Sequence, residues 1–312
     1  MDMQQDIDTL FDRRSTFPDF EAQDRWDRLV GLDSQKDRLA KMLGLLVNPT
    51  GIRQWMQNQH PGAEKVVDTL LRRPPLIVLS GDVGCGKTEL AETVGDQVAR
   101  QEDIEVTLFP MSLSARGEGR VGEMTQLLSA AFDATAEAAE QLKADAGKAR
   151  GAVVLLVDEG DAIAQSREAG QMHHEDRAGV NAFIRGVDKL ARAKLPAAVL
   201  LCTNRLNSLD PAVKRRAADI LMFERPDTVE RQQVLSPVLE AIGFSTAQIS
   251  ELVKATGPSN GRDYGYTYSD ILQRLIPAIV LDAYPNDEIS AYRAVELAKQ
   301  IVPTAPFQDR SV

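Results

Sequence analysis

Cysteine is scarce. Cys85 and Cys202 are the two in 312 residues, too few for a disulfide framework or a zinc cluster, and they fit a reducing compartment. Long apolar runs are missing as well. Stretches such as Ala152 to Val157 have the length of a strand and fall far short of the roughly 18 residues of a membrane helix. Basic charge is in the minority, 36 Lys and Arg against 46 Asp and Glu, so the net charge of -10 repels polyphosphate at long range. No basic patch stands out along the chain, and neither nucleic acid nor a membrane is an expected partner. The N-terminus, from Met1 and Asp2 to Asp6, has no basic segment followed by an apolar one, so the expected location is the cytoplasm. What is present is a globular composition, 43% hydrophobic and 26% charged, which excludes collagen, low complexity and wholesale disorder.

Strand-length apolar runs alternate with helical patterns, the order expected of a parallel sheet covered on both faces. Strands are predicted at Leu76 to Ser80, Val106 to Pro110, Val153 to Asp158, Val199 to Thr203 and Ile220 to Phe223. Helices are predicted between them, for instance over Glu89 to Arg100 and the Ala-rich Gln126 to Ala146. After the turn at Arg225, Pro226 and Asp227 the pattern is helical throughout. Helices are expected over Val229 to Ile242, Thr246 to Ala255, Ser269 to Leu281 and Glu288 to Ile301. The fold class is therefore α/β: a five-stranded parallel sheet domain followed by a small all-helical domain. The first 24 residues and the last ten read as loosely held arms.

Gly81, Asp82, Val83, Gly84, Cys85, Gly86, Lys87 and Thr88 follow a predicted strand and open a predicted helix, which is the P-loop pattern in its required setting. Glycines let successive backbone N–H groups turn inward around phosphates, and the helix N-terminus adds partial positive charge. Lys87 is expected to reach the β- and γ-phosphates of ATP and Thr88 to ligate Mg²⁺, with Glu89 next in the helix beside the cofactor. Cys85, between phosphate-loop glycines, reads as a small filler rather than a nucleophile. The apolar run Val153 to Val157 ends in Asp158 and Glu159, at the strand end where open α/β sheets place ligands. Asp158 is expected to hold Mg²⁺ and Glu159 to polarise the attacking water. A binding switch needs the first carboxylate and not the second, so Glu159 argues for hydrolysis. Asn204 follows the next strand and is placed to hold the lytic water or γ-phosphate. Asp210 and Pro211 open a short helix that ends in Arg215 and Arg216, a pair suited to reach into a neighbouring subunit's site.

These motifs, in this order, resemble the AAA+ ATPases of the classical clade from about Trp26 to Ile301. Trp26 to Leu32 with Lys36 resembles the box that opens the family's ATPase domain, in which the backbone of Val30 and Gly31 would line the adenine pocket. Asn204 stands at the sensor-one position, and Arg215 and Arg216 match the arginine fingers. Gly265 to Ile271 resembles the box that opens the third lid helix, with Tyr268 in place of the usual glycine; no arginine stands at the sensor-two position. Domain limits follow from the resemblance: an N-terminal arm over 1–24, a large ATPase domain over 25–224, a helical lid over 225–302 and a tail over 303–312.

Within the clade, Val180 to Asp188 and Arg216 to Ile220 are most similar to the pachytene checkpoint ATPases. That subfamily forms hexamers that remodel HORMA-domain proteins. Its bacterial relatives accompany HORMA proteins and cGAS-like nucleotidyltransferases in anti-phage signalling. The resemblance implies a homo-oligomer with a protein substrate; the alternatives are a nucleic-acid motor or loader and a nucleotide-dependent regulatory switch. Arg120 and Val121 stand where the family's pore loop carries an aromatic and a hydrophobic residue, which would put them against the threaded peptide. The polar stretch Ser166 to Gly179, with His173 and His174, reads as a mobile loop rather than a metal site.

Overall fold

The computed structural model describes residues 10–113, 123–144, 148–162, 174–259 and 262–307. The chain divides into two compact units: Met1–Asp27, Ser34–Ser80 and Thr88–Met222 form one, and Arg28–Asp33, Gly81–Lys87 and Phe223–Val312 the other. The helical part thus groups with the phosphate loop and with the segment around Val30 and Gly31, and the division is not a single cut near residue 225.

The strands are β1 (Ser15–Phe17), β2 (Leu76–Gly81), β3 (Glu105–Ser112), β4 (Gly151–Asp158), β5 (Ala197–Thr203) and β6 (Ala217–Phe223). The helices are α1 (Phe20–Arg28), α2 (Asp33–Val47), α3 (Pro49–Gln59), α4 (Glu64–Leu70), α5 (Lys87–Glu102), α6 (Glu123–Leu142), α7 (His174–Ala193), α8 (Pro211–Lys214), α9 (Thr228–Glu240), α10 (Thr246–Ala255), α11 (Ile276–Ala283) and α12 (Ala291–Gln300). The sheet order is β1-β3-β4-β5-β2-β6, with five strands parallel and β1 antiparallel to β3. The central strands are rich in Val, Leu and Ile because both of their faces are covered. Leu76, Val78, Val153, Leu155, Val157, Val199 and Leu201 point into one core with Phe132 of α6 and Phe183 of α7. The alternate residues Ile77, Leu79, Val154, Leu156 and Leu200 are as deeply buried, which is the period of two expected of a strand packed on both sides.

The sheet has six strands where five are expected, and the N-terminal arm is not loose over its described part. Residues 15–17 pair with 106–108 of β3. Phe11 is 3% exposed and its ring lies 4.6 Å from that of Phe109. Residues 303–307 of the expected tail are also held: Thr304 N and Oγ1 donate to Asp270 at 3.0 and 2.8 Å. Asp270 is fully buried. Burial pushes its carboxyl up, but hydrogen bonds from Thr267 and Thr304 and the Arg274 pair hold it below the usual range. The expected helix Ser269 to Leu281 is π-helical over Asp270–Leu275 before α11 begins. Pro277 explains the change, since it offers no N–H to the preceding turn and its ring crowds the carbonyl there.

Gly186 sets how closely α7 meets α6. A Cβ at this position would lie 2.2 Å from Cγ of Phe132, a fully buried ring edge-on to Phe183. Gly186→Ala is expected to lower stability by about 1–3 kcal/mol through overpacking, read as a lower urea midpoint at unchanged slope. Among the described residues no helix is long and apolar enough to cross a membrane.

Candidate active site

In the sheet unit, the C-terminal ends of β3, β4 and β5 gather polar groups over a buried apolar floor. Thr88 Oγ1 donates to Asp158 Oδ2 at 2.9 Å, so the two residues expected to meet a metal are in contact. Glu159 follows Asp158 with a φ of 54°, a left-handed backbone uncommon outside glycine and a mark of strained functional positions. Its backbone N–H donates to Asp158 Oδ1 at 2.7 Å, and Ser112 Oγ donates to its Oε2 at 2.8 Å. Ser112 stands opposite Asp158 in the β3–β4 register, which is how a residue 47 positions away comes to hold Glu159.

Asp161 organises the end of β5. It accepts from Thr203 Oγ1, from Asn204 N and Nδ2, each at 3.0 Å, and from Arg205 N at 3.1 Å. The Asn204 amide is therefore oriented by a carboxylate, with its oxygen as the remaining acceptor. Gly160 permits this approach, since a Cβ there would stand 3.0 Å from the Cys202 carbonyl and 2.4 Å from Leu201 Cδ1. A cavity of about 370 Å³ adjoins Asp158 and Ser112 and is walled by Phe17 of β1, Arg25 of α1 and Glu92 of α5.

Arg25 also settles where Glu89 points. Its guanidinium donates to both oxygens of Glu89, at 2.6 and 2.9 Å, and to Glu92 at 2.5 Å. Glu89, expected beside the cofactor, thus has its carboxylate bonded to Arg25 of α1, which lines the cavity next to Asp158. The arginine pair also separates. Arg216 donates to Asp188 Oδ1 and Oδ2 at 2.7 and 3.0 Å and to the Ala212 carbonyl at 3.0 Å. That bond holds the Asp188 carboxyl below its usual range. Arg215 is exposed and makes no ion pair among the described residues. Arg120, Val121 and His173 lie outside the described residues. His174 opens α7, and its side chain is not among those described.

In the second unit the phosphate loop is shaped by left-handed turns at Gly84 and Gly86, with φ of 76° and 88°. Close packing reinforces this: a Cβ at Gly84 would stand 2.8 Å from Thr267 Oγ1 and from Ser269 Cβ, and one at Gly86 2.9 Å from Leu32 Cδ1. Ser269 N donates to the Gly84 carbonyl at 3.1 Å. Lys87 Nζ donates to the carbonyls of Gly81 and Asp82 at 2.9 and 2.7 Å. Asp82 is gripped by Arg225, whose Nε donates to it at 2.7 Å and whose Nη1 reaches the Gly265 carbonyl at 2.8 Å. Val83 is exposed, whereas Cys85 is fully buried. Burial pushes the Cys85 thiol up to about 11, so it remains protonated at neutral pH. Val30 and Gly31 belong to the same unit, where Gly31 faces the Tyr268 hydroxyl. Ser112, Asp161 and Arg225 are the site residues that motif reading misses.

Residues 77–225 match the ATPase family associated with various cellular activities (AAA). CD-NTase-associated protein 6 of Escherichia coli (strain MS 115-1) is 61% identical over 310 residues, covering 99% of this chain and 100% of the relative. A protein of the same name from Escherichia coli (strain KTE188) is 37% identical over 302 residues, covering 96% and 98%. Among solved structures, a chain of the E. coli MS115-1 HORMA:CdnC:Trip13 complex superposes with a TM-score of 0.89 at 60% identity, covering 97% of this chain and 99% of that one. Rhizobiales Trip13 follows at a TM-score of 0.74 and 51% identity, covering 95% and 100%. A phosphate loop, a strand ending in Asp158 with Glu159 directly after it, and relatives alike over the full length agree: the chain belongs to the AAA family of ATPases.

Proposed function

We propose that this ATPase is a ring motor, most simply a homohexamer in the cytoplasm, that couples hydrolysis to the partial unfolding of a HORMA-domain protein in a bacterial anti-phage signalling system. The observation that carries this reading is the Asp158 and Glu159 pair beside Thr88, in a chain 60% identical to one from a HORMA:CdnC:Trip13 complex.

Thr88 and Asp158 supply a hydroxyl and a carboxylate, hard oxygen donors of the kind Mg²⁺ takes alongside substrate phosphates. Among the described residues no cluster of three His, Cys, Asp or Glu offers a rival cage. The ion, when bound, neutralises charge on the transferring phosphoryl group. Loop N–H groups from Asp82 to Lys87 cradle the phosphates, and Lys87 exchanges its loop carbonyls for phosphate oxygens. The backbone of Val30 and Gly31 walls the base. Glu159 orients the attacking water and takes its proton, and Asn204 fixes the water or γ-phosphate through its amide. Arg215 and Arg216 act on a neighbouring subunit's nucleotide, and Arg120 and Val121 grip the substrate in the pore.

Asp161 acts through Asn204 and is a positioning residue. Asp161→Ala is expected to lower kcat about 10²-fold with nucleotide Kd unchanged, since small misplacements near the reacting atoms cost that much. Steady-state turnover beside a binding titration checks this, and equal loss in both would make Asp161 merely structural. For the substrate, Glu159→Gln is used as bait in lysate of the source organism with and without ATP, read by mass spectrometry. ATP-dependent capture of a HORMA-domain protein is the expected outcome. Capture of nucleic acid or a replication protein would replace this reading with that of a loader.

A further inference from the structure

The phosphate loop carries a carboxylate. Asp82 stands second in the run Gly81 to Thr88, and a negative charge in a loop that holds phosphates opposes the binding of a triphosphate. Backbone N–H groups and Lys87 attract phosphate, and the Asp82 side chain among them does the reverse.

Within the second unit both oxygens of that carboxylate are engaged. Oδ2 accepts from Arg225 Nε at 2.7 Å, and Oδ1 accepts from the Phe307 backbone N–H at 3.3 Å. Arg225 is anchored on two further sides. Its Nη1 donates to the Gly265 carbonyl at 2.8 Å, and its guanidinium lies 5.0 Å from the centre of the Tyr264 ring. The chain leading to it also lies against the loop, since a Cβ at Gly81 would stand 2.0 Å from the Phe223 carbonyl. The pair is partly shielded from water, with side-chain exposures of 12% for Arg225 and 24% for Asp82, so salt screens its charges less than it screens a surface pair.

Such a pair can act as a strut, through its hydrogen bonds, or as a neutraliser, through its charge. The loop is already tied to the same segment without charge, by Ser269 N on the Gly84 carbonyl at 3.1 Å. Lys87 donates to the carbonyls of Gly81 and Asp82 and is the cation that phosphate will claim, so the Asp82 carboxylate needs a cation of its own.

We propose that Arg225 is a positioning residue for nucleotide binding that acts through Asp82: it cancels the charge of the carboxylate beside the phosphates and holds that carboxylate on the side of Gly265. This role needs the phosphate loop to hold the nucleotide, and needs neither a ring nor a HORMA-domain substrate.

The full chain carrying Glu159→Gln, so that ATP persists, is titrated calorimetrically with ATP and with ADP in Mg²⁺, alone and with Arg225→Met, Asp82→Asn or both. Methionine keeps a long stem against Tyr264 and loses the charge. Arg225→Met is expected to weaken ATP binding about tenfold or more, because the carboxylate is left uncompensated. ADP, with one negative charge fewer, is expected to lose about threefold. Adding Asp82→Asn is expected to bring ATP back to within about threefold of the starting chain, a recovery that a strut cannot give. Asp82→Asn without the Arg225 change keeps an acceptor for Nε, removes the charge, and is expected to tighten ATP binding about threefold. Equal weakening of ATP and ADP by Arg225→Met, or no recovery in the double variant, would make the pair a strut and overturn the role. Weaker ATP binding in Asp82→Asn would overturn it without any variant of Arg225. A starting chain that binds neither nucleotide would remove the phosphate-loop reading itself, which the other outcomes leave standing.

Discussion

Glu159→Gln is expected to lower kcat for ATP hydrolysis by about 10²–10⁴-fold while ATP affinity stays within a few-fold of the parent. Glu159 follows β4 with a left-handed backbone, and its Oε2 accepts from Ser112 Oγ at 2.8 Å; in the proposed mechanism it is the group that takes the proton of the attacking water. Asp158, one residue earlier, is the group that touches Thr88. Glutamine keeps the shape and the Ser112 contact but cannot take a proton, so binding and turnover separate. A fluorescent-nucleotide titration beside a phosphate-release assay reads both. Turnover within about tenfold of the parent would remove Glu159 from the role of base.

The second large effect belongs to the arginine pair. Arg215→Ala is expected to lower kcat by about 10³–10⁵-fold, the usual worth of an arginine finger, with ATP affinity preserved. Arg216 stands differently, because Asp188 binds it bidentately within its own chain. In this reading Arg215 reaches the neighbour's phosphate while Arg216 is aimed by Asp188. Asp188→Asn should therefore reduce the contribution of Arg216 and leave that of Arg215. Action in trans has its own signature: mixing Arg215→Ala chains with Lys87→Ala chains restores part of the activity, since each supplies what the other lacks. Mixtures no more active than their components would contradict it.

Much of the fold is legible in the sequence because its strongest signals are local. The apolar run before Asp158 and the glycine spacing around Lys87 declare a strand and a loop from neighbours alone. β1 is not legible: Ser15, Thr16 and Phe17 have no periodicity to read, and only pairing with β3 makes them a strand. Ser112 and Asp161 stay hidden for a related reason. Their roles come from register and from a turn that bring them to Glu159 and Asn204, distances that spacing cannot encode. Glu89 shows what adjacency in the chain leaves out. It follows Thr88 directly, one step along a helix turns the side chain by about 100°, and its partner, Arg25, stands 64 residues away in the sequence. The adjacent Arg215 and Arg216 likewise read as a uniform pair until Asp188 distinguishes them.

Amide hydrogen exchange on a purified HORMA-domain protein incubated with this chain reads whether hydrolysis is coupled to substrate unfolding. Protected amides of the substrate are expected to exchange faster with the parent chain and ATP, and to keep their protection with Glu159→Gln and ATP or with the parent chain alone. Equal protection in all three samples, with ATP hydrolysed normally in the first, would contradict that coupling.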